Sequence, residues 1–310
     1  MPRPGALSVV SFYLIAVFIG GAAVAPLLHK AVLALAPHST LAQTLVGEPF
    51  HRYVARAFMV IAILGLWPLF RSLDLRSLKE AGLEWEPASR KQLLLGLVIG
   101  LGSLAPIALG ELIFGIRSWD SERTTSAIQS HLLNAVLAAI LVGFLEEVIF
   151  RSGIFGGLRK GHSFLMALVV SSALYALVHF FERATAPEKI DFASGFVVLG
   201  RMCRGFTDIE AFLPAFLNLW LAGAALALAY QNTGTIWLSV GLHGGWIFWL
   251  KTFSFFTRST QDSPAPFWGT AKLIDGWAAF IVLLVLVFLF WRKGANVRPA
   301  SGSIRSQNLA

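Results

Sequence analysis

The sequence predicts an all-α fold, a polytopic bundle of about eight membrane-spanning helices, on three observations. Hydrophobic residues fill 56% of the 310 positions and charged residues only 14%, against roughly 25% charged in an ordinary soluble domain. Such a chain lacks the polar surface to cover itself in water. The apolar residues are gathered into blocks of about 20, the length that crosses a ~30 Å hydrocarbon core at 1.5 Å per residue. Those blocks are continuous, as from Ala278 to Trp291, and lack the alternation of a barrel strand. Helices then remain as the way to satisfy backbone polar groups in lipid.

The expected spans lie near 8–28, 53–70, 92–116, 131–150, 163–180, 212–230, 233–250 and 275–291. Ala23-Val24-Ala25 in the first resembles a signal-peptide cleavage site, but Pro26 follows directly and the apolar run is longer than a usual h-region, so it reads as a retained span. Residues Arg71 to Gln92 mix charged and apolar side chains around Pro87, as in an amphipathic surface connector. No internal repeat is evident. The expectation is one membrane domain over 1–310, a motif-bearing core at 130–250, and a polar cytoplasmic tail at 294–310.

An even number of spans puts both termini on one side. Arg3, Arg71, Arg76, Lys79, Arg90, Lys91, Arg151, Arg159, Lys160, Arg292, Lys293, Arg298 and Arg305 lie on that side, which the positive-inside rule reads as cytoplasmic. The net charge of +8 is spread over loops and tail. It fits contact with anionic lipid, whereas nucleic-acid binding needs a concentrated basic patch. The single cysteine, Cys203, excludes an intrachain disulfide and a multi-cysteine metal site. The compact loops suit a bacterial cytoplasmic membrane.

Chemistry is read from charge out of place. Glu146 and Glu147 end an otherwise apolar span, where a charged side chain costs several kcal/mol and needs a partner or a polar cavity. Glu147 and Arg151 are four residues apart on one helical face and can pair. Alone, that pair reads as a structural ion pair. Glu146 points about 100° away, with Ile149 and Phe150 at i+3 and i+4, so it is the unpaired carboxylate and a general-base candidate. His179 ends the run Ala167 to Phe180. His243 lies among Gly241, Gly244 and Gly245, whose missing side chains admit a neighbouring helix or an extended substrate backbone.

These residues resemble a known family. Glu146-Glu147-Val148-Ile149-Phe150-Arg151 is similar to the Glu-Glu-x-x-x-Arg motif of the CPBP intramembrane glutamic endopeptidases, also called type II CAAX prenyl endopeptidases or Abi proteins. Tyr175-Ala176-Leu177-Val178-His179 resembles the family's Phe-x-x-x-His, with tyrosine for phenylalanine. His243 stands at the histidine of His-x-x-x-Asn, with Ile247 in place of the asparagine. The resemblance implies hydrolysis of a peptide bond in a membrane-associated protein or peptide. Glu146 and His179 would activate a water, His243 would donate to the oxyanion, and Glu147 and Arg151 would hold the site.

The resemblance implies no cofactor. A minority alternative is Zn²⁺ on Glu146, His179 and His243, although the His-Glu-x-x-His signature is lacking. A transporter or non-catalytic scaffold using the same buried charges is the alternative of another class. Membrane lipid and a membrane-associated substrate are the expected partners. Trp246 and Trp249 read as belt or packing residues. The 181–211 loop, with Arg183, Lys189, Arg201 and Arg204, is the expected external substrate-contacting segment.

Overall fold

The computed structural model describes residues 5–181, 184–207, 209–260 and 266–295. Arg183, like Glu182, lies outside them, as does the tail beyond 295. Among the described residues there are ten helices and one two-stranded antiparallel sheet. In chain order the helices are α1 (Ala6–His38), α2 (Thr40–Val46), α3 (Phe50–Ser72), α4 (Pro87–Ile113), α5 (Thr125–Gly161), α6 (Phe164–Val178), α7 (Ser194–Met202), α8 (Ile209–Thr233), α9 (Trp237–Phe256) and α10 (Trp277–Ala295).

Six of these contain segments long and apolar enough to cross a membrane, namely α1, α3, α4, α5, α8 and α10, and α6 is a shorter apolar helix. The remaining expected span, at 233–250, corresponds to α9, which is 20 residues long and is not among those six. Side chains such as Phe12, Leu64, Trp67 and Ile113 point outward and are well exposed, as expected where lipid is the solvent. The chain is a multi-pass membrane protein.

Helix starts follow capping chemistry. The Thr124 hydroxyl accepts from Ala127 N–H at the start of α5, and the Ser163 hydroxyl accepts from Met166 N–H at the start of α6. Glu86 and Ser89 form a reciprocal capping box at α4.

Small residues decide the packing. α8 runs through the middle of the bundle, where Ala222, Ala224, Ala225, Ala227 and Ala229 are buried and let neighbouring backbones approach. α4 and α9 meet backbone to backbone through Gly96, Gly100, Gly241 and Gly245. A Cβ on Gly241 would stand 2.0 Å from the Leu93 carbonyl oxygen, and one on Gly96 would stand 2.2 Å from that of Leu238. Gly241 and Gly245 therefore seat α4, not a substrate backbone. Gly244 faces α5, where a Cβ would lie 3.4 Å from the Ala139 carbonyl oxygen.

The connector at 73–86 is an ordered set of turns. Ile236 N–H bonds the Gly82 carbonyl at 3.0 Å, and the Trp237 indole donates to the Glu84 carbonyl at 2.8 Å. On the other side of α4 and α9, β1 (Arg117–Trp119) pairs with β2 (Thr257–Ser259). The segment after α6 folds back onto α1. A Cβ on Gly195 of α7 would collide with the Ala22 carbonyl, and Val198 and Met202 join a buried cluster with Val54 and Ala57 of α3. Only part of the expected substrate-contacting loop is thus open surface.

Candidate active site

The site is built where α5, α6 and α9 meet. α5 is α-helical to Glu147 and π-helical over Val148–Phe155, so the Gly156 N–H reaches the Arg151 carbonyl five residues back. Single π-turns inside helices are frequent at functional sites. Here the wider turn follows the two glutamates directly and carries Arg151 into the interior.

Glu147 and Arg151 are completely buried, and Arg151 Nε lies 3.2 Å from Glu147 Oε2. The guanidinium also sits over the Tyr175 ring, 4.7 Å from its centroid. The other carboxylate oxygen, Glu147 Oε1, accepts from His243 Nδ1 at 3.0 Å. A buried ion pair needs such further hydrogen bonds to offset its desolvation. The chain Arg151–Glu147–His243 thus ties α5 to α9, and Glu147 fixes the proton of His243 on Nδ1.

Glu146 looks the other way. Its side chain is 26% exposed, and its Oε2 lies 3.8 Å from His179 Nε2 and 3.8 Å from His243 Nε2. Both distances are too long for a direct hydrogen bond, and this oxygen has no hydrogen-bond partner. His179 caps the end of α6 and donates from Nδ1 to the Tyr175 carbonyl at 2.7 Å. That bond puts the lone pair of the neutral ring on Nε2, toward Glu146. Two acceptors at this separation suit the two hydrogens of one bridging water.

All five residues singled out in the sequence, Glu146, Glu147, Arg151, His179 and His243, therefore come together. Trp246 and Trp249 are packing residues. Their indoles donate to Ser103 Oγ at 2.9 Å and to the Leu101 carbonyl at 2.7 Å. The sequence reading passed over the hydroxyl of Tyr175, 3.3 Å from His243 Nε2. The available signal was a tyrosine where the motif has phenylalanine. Among the described residues, no group of three His, Cys, Asp or Glu side chains is placed to hold a metal ion.

Glu146 also borders a cavity of about 200 Å³ between α1, α3 and α5, lined by side chains such as Tyr13, Val17, Phe58, Ile63 and Leu145. It is the charged residue of an otherwise apolar wall. Glu146 therefore stands between the two histidines and a space with apolar walls.

These features define a class: a polytopic helical membrane protein with a glutamate and two histidines converging in its interior. Residues 127–249 match the family described as type II CAAX prenyl endopeptidase Rce1-like. The matched segment contains the Glu146–Arg151 and Tyr175–His179 motifs and the whole Glu146–His179–His243 cluster. The chain is also 35% identical over 69 residues to the protein named "Putative membrane peptidase YdiL" of Bacillus subtilis (strain 168). That match spans 22% of this chain and 28% of the relative. No solved structure matches the chain.

Proposed function

We propose that the protein is an intramembrane endopeptidase that hydrolyses a peptide bond in a membrane-associated protein or peptide with a water activated by Glu146 and His179. The observation that carries this reading is the arrangement of Glu146 Oε2, without a hydrogen-bond partner, facing the Nε2 atoms of two histidines at 3.8 Å each. A carboxylate beside an imidazole lone pair can hold a water by both hydrogens and take one proton as the oxygen attacks. The family match of residues 127–249 supports the endopeptidase part of this reading.

In this reading Glu147 and Arg151 are positioning residues that hold His243 toward the scissile carbonyl. His243 donates its Nδ1 proton to Glu147, so it can give a proton from Nε2 to an oxyanion only as the imidazolium. The apolar cavity beside Glu146 takes an apolar portion of the substrate. No cofactor is part of the mechanism, and the protein resides in the cytoplasmic membrane of its cell.

The test is a comparison of peptide termini in membranes of host cells carrying the wild-type chain or an equally expressed Glu146→Gln variant. New termini confined to the wild type are expected, and they name the substrate and the bond. Equal termini in the two membranes, with native substrates shown to be present, would contradict the reading.

A further inference from the structure

We infer that the Tyr175 hydroxyl is an oxyanion donor of this site, in place of the asparagine amide that would be a second donor beside His243 in the resembled motif and that Ile247 lacks. The inference rests on the peptidase reading above and assigns one further catalytic residue within it.

Two departures from the family motifs occur together in this chain. Ile247 stands where the motif has an asparagine. It is buried on α9, one turn beyond His243, and its Cδ1 would lie 3.7 Å from a Cβ on Gly143. Its side chain has no proton to offer a developing negative charge. Tyr175 stands where the second motif has phenylalanine, and the difference between the two side chains is one hydroxyl. That hydroxyl lies 3.3 Å from His243 Nε2, on the edge of the ring that faces Glu146.

Hydrogen-bond accounting gives the direction of this contact. Glu147 Oε1 can only accept, so Nδ1 of His243 carries a proton. The Glu147–Arg151 pair already balances its own charge, which suits a neutral ring, and the Nε2 of a neutral ring is an acceptor. Tyr175 then donates to Nε2. A hydroxyl turns about its C–O bond without any movement of the backbone, so the same proton can be offered to an oxygen that arrives beside Nε2.

The Tyr175 ring is held for this task on several sides. Arg151 sits over it at 4.7 Å, Phe150 packs edge-on at 5.2 Å, and the His179 ring lies at 4.5 Å. A preorganised donor of this kind needs no rearrangement at the moment charge appears.

The water oxygen bonds to the carbonyl carbon while Glu146 takes one water proton and the carbonyl π pair moves onto oxygen. The Tyr175 O–H donates a hydrogen bond to that oxyanion. As the C=O bond re-forms, the C–N bond breaks and the leaving nitrogen takes the proton from Glu146. The new carboxylic acid gives its remaining proton to solvent.

The experiment follows the rate at which Glu146-dependent termini accumulate in host membranes after induction of the full chain. The arms are wild type, Glu146→Gln, Tyr175→Phe, and Tyr175→Phe combined with Ile247→Asn, at matched levels of folded protein. Tyr175→Phe keeps the buried ring and removes only the hydroxyl. It is expected to slow accumulation by about 100-fold or more, the scale of losing one oxyanion donor. The double variant is expected to recover at least about tenfold of this.

A Tyr175→Phe rate within twofold of wild type would overturn the inference while leaving the peptidase reading intact. A loss that the added amide does not recover would assign Tyr175 to holding His243 and overturn its donor role. Failure of the wild type to make any Glu146-dependent terminus would remove the peptidase reading, and this inference with it.

Discussion

Glu146 and Glu147 share a peptide bond and almost nothing else. Glu147 is enclosed, with Arg151 on one oxygen and His243 on the other, whereas Glu146 faces two imidazole acceptors across a gap of water size. Arg151→Met leaves the buried Glu147 without its counter-charge and is expected to cost about 3–5 kcal/mol. The unfolding midpoint in detergent should fall, and adding Glu147→Gln should restore part of it. An unchanged midpoint would mean that the pair does not hold the site. The i, i+4 pairing of Glu147 with Arg151 and the free direction of Glu146 were legible in the sequence, because both follow from helix geometry alone. The bond from Glu147 to His243 and the approach of Tyr175 to the same ring were not. They join residues 96 and 68 positions apart, on helices whose rotation depends on packing.

At the scale of elements, α4 and α9 cross with their backbones in contact because Gly96 and Gly100 face Gly241 and Gly245. Gly241→Leu would drive a side chain into the Leu93 carbonyl, and a forced overpacking of this kind costs about 1–3 kcal/mol. Lower stability and a fall in accumulation of cleaved termini are expected together, since His243 moves with α9. Full activity and stability in this variant would show that the crossing tolerates separation. All eight apolar runs read from the sequence are helical, since length and hydropathy decide that in lipid. The glycines around His243 were read as room for a neighbouring helix or an extended substrate backbone; Gly241 and Gly245 meet α4 and Gly244 meets α5. The π-helical turn after Glu147 and the docking of α7 against α1 left no periodic signal. One is a local change of hydrogen-bond register, and the other depends on a glycine meeting a carbonyl far away in sequence.

At the scale of the whole molecule, the proposed function has a substrate reach Glu146 from within the membrane, along the apolar cavity between α1, α3 and α5. The orientation proposed from the basic residues puts the 73–86 turns inside the cell and the segment after α6 outside. Cys203 is exposed, so a membrane-impermeant maleimide should label it in intact cells. A cysteine placed at Lys79 in a Cys203→Ser background should stay unlabelled until the membrane is opened, and the reverse pattern would invert the proposed topology. The most direct test of the central claim is hydrolysis in a purified system. Wild type and Glu146→Gln are reconstituted into liposomes with a synthetic peptide spanning the bond found in host membranes, with and without a metal chelator. The account predicts hydrolysis by the wild type that the chelator leaves unchanged, and a rate lower by at least about 10²–10⁴-fold in the variant, the range for a general base. A variant that cleaves the peptide at the wild-type rate would contradict it.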